Sequence, residues 1–380
     1  MKLIFLFFLF LFMLECSYQK KYAPGTILFE DSLNGSVQHE AWKVAPNRFV
    51  ELPGNETVFQ LQATPTDTFV LHPWVGDNSW ENIRLEVEFL VTDSTRSGFI
   101  GLQFHIQDDS VRCCNLAFYI GGNINDERRV ETTGHWSKGN LSWKLWPFAQ
   151  RSFQLESDKW FKLRMDIGKT IANVYVNKDS TPVYTTYDLP FANGGIRFWQ
   201  YGGSAYFRNL KVTALGQSDV QPVLPDPFKA IRDKATHSWE ITELLTHESG
   251  IEQMPSADYK WHPAATDARG VLNVTAAYPE NLEKRVLFAR ATIESQPDTT
   301  QICHFSYTDR ANLWLNGKRI YTGQPRGWFD PGRTLEDEYG RLIPDLFSVE
   351  VPFKTGTNEI IVGLEIKEPQ FGSGIWMRVD

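Results

Sequence analysis

Apolar and polar side chains alternate with a period of two along most of the first half of this chain, and no stretch there carries the longer period of a helix. The stretch NIRLEVEFLV sets Leu85, Val87 and Phe89 against Arg84, Glu86 and Glu88. SGFIGLQFHIQ sets Ile100, Leu102, Phe104 and Ile106 against Phe99, Gln103, His105 and Gln107. NLAFYIGG, WFKLRMDI and IANVYVN repeat the pattern, with turn residues between them. Successive side chains of a strand point to opposite faces, so many short strands with one apolar face bury it by laying sheet on sheet. The expected fold class is all-β, with two antiparallel β-sandwich (jelly-roll) domains in tandem. GGIRFWQYGGSAYFRNLKV, residues 194–212, is expected to form a hairpin turning at Gly202-Gly203. One face would carry Ile196 and Phe198, the other Arg197, Trp199 and Tyr201.

Pro222, Pro225 and Pro227 interrupt this rhythm, because proline cannot sit inside a ladder. Residues 215–235 are therefore a linker or surface crossing, with a short helix expected near PDPFKAIRDKAT. Strand signals resume in EKRVLFARATIES, in QICHFSYTDRANLWLNGKRIYTG and in LFSVEVPFKTGTNEIIVGLEIKE. Asn316-Gly317 between LWL and KRIY is a two-residue hairpin signal, since both positions tolerate positive φ. Ile360, Val362 and Leu364 are expected to face inward in a second sandwich spanning 236–380.

The opening MKLIFLFFLFLFMLEC has a positive flank at Lys2 and an uncharged apolar run from Leu3 to Leu14. That run falls short of the roughly 20 residues of a spanning helix and reads as an export signal over residues 1–16. It resembles a bacterial lipoprotein signal in which Cys16 is lipidated, with Glu15 standing where that family has a small residue. The expected location is the cell surface or periplasm, otherwise secreted, with membrane contact only through the lipid anchor. A net charge of -8 argues against nucleic acid or an anionic membrane surface as partner. Cys113, Cys114 and Cys303 have neither zinc nor disulfide spacing and are expected to be buried thiols.

ILFEDSLNG, NIRLEVEFLVTDSTRSGFIGLQFH, WFKLRMDIGKTIANVYVN and GGIRFWQYGGSAYFRNLKV form an ordered series over residues 26–214. Together they resemble the concanavalin A-like (laminin-G-like) jelly roll, nearest to the branch of 3-keto-disaccharide hydrolases and family 16 glycoside hydrolase-like proteins. The second half, through DRANLWLNGKRIY, VPFKTGTNEIIVGLEI and the terminal strand with Trp376, resembles the galactose-binding-like β-sandwich. The first resemblance implies glycan chemistry and admits a calcium ion near Asp108 and Asp109. Family 16 enzymes carry two glutamates around an aspartate on one strand, and no such triplet stands in the strand region here. Retaining hydrolysis needs carboxyls roughly 5–5.5 Å apart. Glu86 and Glu88 lie on one face at roughly 7 Å along the strand, and Arg84 shares that face.

In such a jelly roll, the non-core faces carry Gln103, His105, Tyr119, Tyr175, Arg197 and Trp199, with Trp143 and Trp146 added by NLSWKLWPFAQRSF. Amide, imidazole, guanidinium and indole groups together suit a saccharide groove, where hydroxyls take directional hydrogen bonds and a sugar's C–H face lies on a ring. A linker or the second domain packed over the same face would explain these residues equally. The leading expectation is a carbohydrate-binding protein that assists recognition or breakdown of poly- or oligosaccharide beside other surface glycan-processing proteins. The alternatives are a glycoside hydrolase or 3-keto-disaccharide hydrolase, with Glu86, Glu88 and His105 as catalytic candidates, and a non-catalytic adhesion or assembly module.

Overall fold

The computed structural model describes residues 22–36, 49–62, 69–71, 74–92, 98–120, 129–137, 140–141, 143–145, 150–177, 179–202, 204–226, 229–246, 248, 250–279, 285–295, 299–324 and 341–380. Cys16 and the rest of the expected export signal lie outside them, as does Trp146.

The early strands are β1 (Ile27–Asp31), β2 (Phe49–Leu52), β3 (Glu56–Gln62), β4 (Phe69–Leu71), β5 (Ile83–Val91), β6 (Phe99–Ile106), β7 (Cys113–Tyr119) and β8 (Arg129–Ser137). They are followed by β9 (Asn140–Leu141), β10 (Gln150–Ser152), β11 (Trp160–Ile167), β12 (Ile171–Val176), β13 (Tyr184–Tyr187), β14 (Gly195–Tyr201) and β15 (Ser204–Ala214). One antiparallel sheet runs β13-β12-β11-β5-β15-β3-β2, with β1 also on β15. Its companion runs β10-β8-β7-β6-β14-β4, with β9 on β8. The alternation decides which side is buried. Leu85, Val87 and Phe89 of β5 meet Ile100, Leu102 and Phe104 of β6 and Leu116 and Phe118 of β7 in one core.

The expected hairpin at 194–212 is a crossing between sheets instead. β14 pairs with β6 and β4, whereas β15 pairs with β5, β3 and β1. Gly202, at φ 67°, turns the chain across the sandwich, and Phe198 stacks on Phe207 at 4.2 Å through the core. Alternation fixes which face goes inward but not which neighbour takes the edge, so two such strands can pair side by side or stack face to face.

The later strands are β16 (Ser238–Thr242), β17 (Trp261–Ala265), β18 (Val271–Asn273), β19 (Val286–Ser295) and β20 (Thr299–Tyr307). After them come β21 (Arg310–Leu315), β22 (Lys318–Gly323), β23 (Phe347–Phe353), β24 (Gly356–Glu365) and β25 (Gly374–Val379). They form the sheets β17-β16-β19-β24-β21-β22 and β18-β25-β20-β23 around a core that includes Ile360, Val362 and Leu364. The proline-marked crossing lies along the β13 edge of the first sandwich. Asn173 donates to the Gln221 carbonyl at 2.7 Å, and Tyr187 donates to that of Leu224. The short helix expected in this stretch is, among the described residues, one turn at Lys229–Arg232.

A short turn, Trp143–Leu145, joins the two sandwiches. Lys144 is buried, with its Nζ 2.6 Å from Asp309 Oδ1 and 2.8 Å from Glu368 Oε2. Leu145 sits among Ala235, Val271, Leu342 and Trp376. Arg269 donates to its carbonyl at 3.0 Å, and the Leu342 amide donates to that of Lys144 at 2.8 Å.

Candidate functional site

The non-core face of the β4–β14–β6–β7–β8 sheet is organised in rows by the strand register. Tyr201, Phe99 and Tyr119 are directly opposite one another, as are Trp199, Gly101, Ala117 and Glu131. The next row is Arg197, Gln103, Asn115 and Thr133, followed by Cys113 opposite His135.

The third row is a hydrogen-bond relay running in one direction. Arg197 Nε donates to Gln103 Oε1, Gln103 Nε2 to Asn115 Oδ1 at 2.7 Å, and Asn115 Nδ2 to Thr133 Oγ1 at 3.0 Å. Each bond fixes the orientation of the next amide, so a buried row of this kind is rigid and polarised. His135 Nδ1 stands 3.3 Å from Gln103 Nε2 and 3.8 Å from the Cys113 sulfur. Burial, helped by the charge of Arg197, pushes the His135 imidazole down to about 4. Burial pushes the Cys113 thiol up to about 12. At neutral pH both are uncharged.

The aromatic rows border this relay. A Cβ on Gly101 would sit 1.8 Å from the Leu116 carbonyl oxygen and 2.8 Å from the Trp199 indole nitrogen. Only glycine lets the indole cross β6 there and donate to that carbonyl at 2.8 Å. Trp199 is thus committed to the fold, 3% exposed and 4.4 Å from the Phe99 ring. Tyr119, Tyr201 and His135 stay partly exposed.

At the β8 side the second sandwich closes over the face. Glu131 accepts from Tyr119 Oη at 2.7 Å, Trp143 Nε1 at 3.1 Å and Arg129 Nε at 3.0 Å, and Arg341 Nη1 lies 3.5 Å away. Burial alone would raise this carboxyl, but Arg129 and Arg341 outweigh it and hold it below the usual range. Glu131 is an anion fixed between cations, a poor proton donor.

The remaining sequence candidates are dispersed. Tyr175 belongs to the opposite sheet, under the Arg164 guanidinium at 3.6 Å. His105 does not share the Gln103 face in the simple way alternation implies. It occupies a bulge against β14 at φ 51°, where its Nδ1 lies 2.6 Å from the Phe191 carbonyl oxygen and its buried Nε2 has no hydrogen-bond partner among the described residues. Histidine is one of the residue types enriched at positive φ. Glu86 and Glu88 line an open groove of about 460 Å³ on the outer face of the other sheet, paired with Lys162 at 2.8 Å and Arg208 at 2.6 Å. Asp109 closes a turn by accepting from the amides of Val111 and Arg112, both at 2.9 Å, and Asp108 lies beside it. Among the described residues no three His, Cys, Asp or Glu side chains gather as a metal-holding group.

Sequence reading missed Glu131, Thr133 and His135. The signal was present in RVETTGHW, where Val130 turns to the core and the odd-numbered polar residues share the opposite face. The arrival of Arg341 from the other sandwich had no local signal.

No family model matches the chain, and no curated protein matches it. Among solved structures, the carbohydrate-binding module CBM66 from Bacillus subtilis is 14% identical with a TM-score of 0.32, covering 44% of this chain and 91% of its own. A Bacillus subtilis protein of unknown function with a galectin-like fold is 14% identical with a TM-score of 0.38, covering 51% of this chain and 98% of its own. A beta-1,3-glucanase from Mycobacterium marinum is 16% identical with a TM-score of 0.33, covering 50% of this chain and 99% of its own.

Proposed function

We propose that this protein is an exported, lipid-anchored carbohydrate-binding protein whose first sandwich takes a poly- or oligosaccharide on the β14–β6–β7 face. The observation that carries the reading is the one-directional relay from Arg197 through Gln103 and Asn115 to Thr133, with partly exposed Tyr119, Tyr201 and His135 beside it. The relay amides are themselves buried and hold Arg197 in place, while the partly exposed Tyr119 and Tyr201 offer rings to a sugar's C–H face. A place at the cell surface beside other glycan-processing proteins is part of this proposal, supported by the signal-like run Leu3 to Leu14 ahead of Cys16. A hydrolase is supported less well. Glu131 is a fixed anion, and Glu86 and Glu88 are tied in ion pairs on the opposite sheet.

Calorimetric titration of the purified protein with a panel of neutral and acidic oligosaccharides tests this reading. Saturable binding is expected, weakened about fivefold by Tyr201→Ala, which removes a ring contact worth on the order of 1 kcal/mol. Absence of binding across the whole panel would leave the adhesion or assembly module as the better account.

A further inference from the structure

Buried cations in this fold almost all have carboxylate partners. Lys144 has Asp309 and Glu368, Arg129 and Arg341 have Glu131, and Arg378 has Asp345. Arg197, 8% exposed, is the exception. Its partners are the Gln103 amide oxygen and the Cys113 thiol, both neutral, and no carboxylate among the described residues comes within ion-pair range. Its other charged or titratable neighbour, His135, is uncharged at neutral pH. Among the described residues the relay therefore ends in one positive charge without a carboxylate, set on the face that also carries the partly exposed Tyr119 and Tyr201.

Withdrawing a guanidinium from water without a counter-ion costs several kcal/mol or a displaced proton. Burial does lower the Arg197 pKa, without removing its charge. A side chain needed only to pack or to orient Gln103 would not have to be charged. Gln103 takes Nε and the Cys113 thiol engages the tip, so the remaining Nη hydrogens are the part of the group left for a carboxylate oxygen.

We propose that the saccharide bound by this face bears a carboxylate, as in a uronic acid, and that Arg197 receives it as the counter-ion that the described residues do not supply. This rests on the saccharide-binding reading above and narrows its ligand class.

The test titrates the full chain with oligo-uronates, with their methyl esters, with the corresponding neutral oligosaccharides and with sulfated ones, at low and high salt. The free acids are expected to bind at least about tenfold more tightly than the esters, with the advantage shrinking as salt rises. Arg197→Lys should keep part of that advantage and Arg197→Gln should erase it, with melting curves confirming that each variant is folded. The acid–ester comparison on the unaltered protein stands even if a variant fails to fold. Equal binding of acid, ester and neutral sugar overturns the proposal and leaves the saccharide reading in place. Preference for sulfate over carboxylate also overturns it. Failure of every saccharide to bind overturns both.

Discussion

Two histidines show how strongly position governs a side chain's chemistry here. His105 is buried and His135 half-buried, and loss of hydration lowers both imidazoles from 6.5 to about 4, with the Arg197 charge adding to the effect at His135. Below pH 6.5 an unfolded chain protonates both rings while the folded chain leaves them neutral until about pH 4. Unfolding then takes up protons, so stability falls as the pH is lowered through that window and is flat with respect to these groups above it. Urea unfolding at a series of pH values should give a slope of up to about two protons between pH 6.5 and 5. His135→Asn is expected to reduce that slope by about one proton, and an unchanged slope would count against a neutral ring in the folded chain.

At the level of elements, the turn at Asn316-Gly317 was legible in sequence and is found as expected. It joins β21 to β22 with φ of 49° and 83°. The Asn316 side chain adds a bond from the Glu359 amide at 3.0 Å. A Cβ on Gly317 would meet nothing within 4 Å, so the cost of a substitution there is purely one of backbone conformation. Gly317→Ala should destabilise the protein by about 1–2 kcal/mol, read as a shift of the denaturant midpoint without a change in slope. Strand faces were equally legible, because burial of β5 alternates residue by residue. Strand partners were not. The pairing of β14 with β6 rather than β15, and the bulge that sets His105 apart from Gln103, depend on contacts between segments about 90 residues apart.

On the scale of the molecule, the two sandwiches share a buried ionic lock at Lys144. Burial raises the Asp309 carboxyl, which the lysine opposes. Lys144→Met would strand two carboxylates away from water and should cost ~3–5 kcal/mol. Differential scanning calorimetry is expected to separate one transition into two, because each sandwich keeps its own core while the contact between them is lost. A single unshifted transition would show that the lock does not couple the halves. The same contact bears on the candidate site, since Trp143 and Arg341 close the Glu131 side of the relay face and leave the Tyr201 side partly open.

That the chain folds as β-sandwiches, and which side chains each strand turns inward, is legible in the residues alone, because a period of two is a local property of the backbone. The same period placed Gln103, Tyr119, Arg197 and Trp199 on one side of their strands. Pairing across the sheets and between the sandwiches spends Trp199 on the Leu116 carbonyl, neutralises Glu131 from the second sandwich, and leaves Arg197 without a carboxylate among the described residues. Those outcomes depend on which strands become neighbours and on how charges balance across them, and neither is written in any local window of the chain.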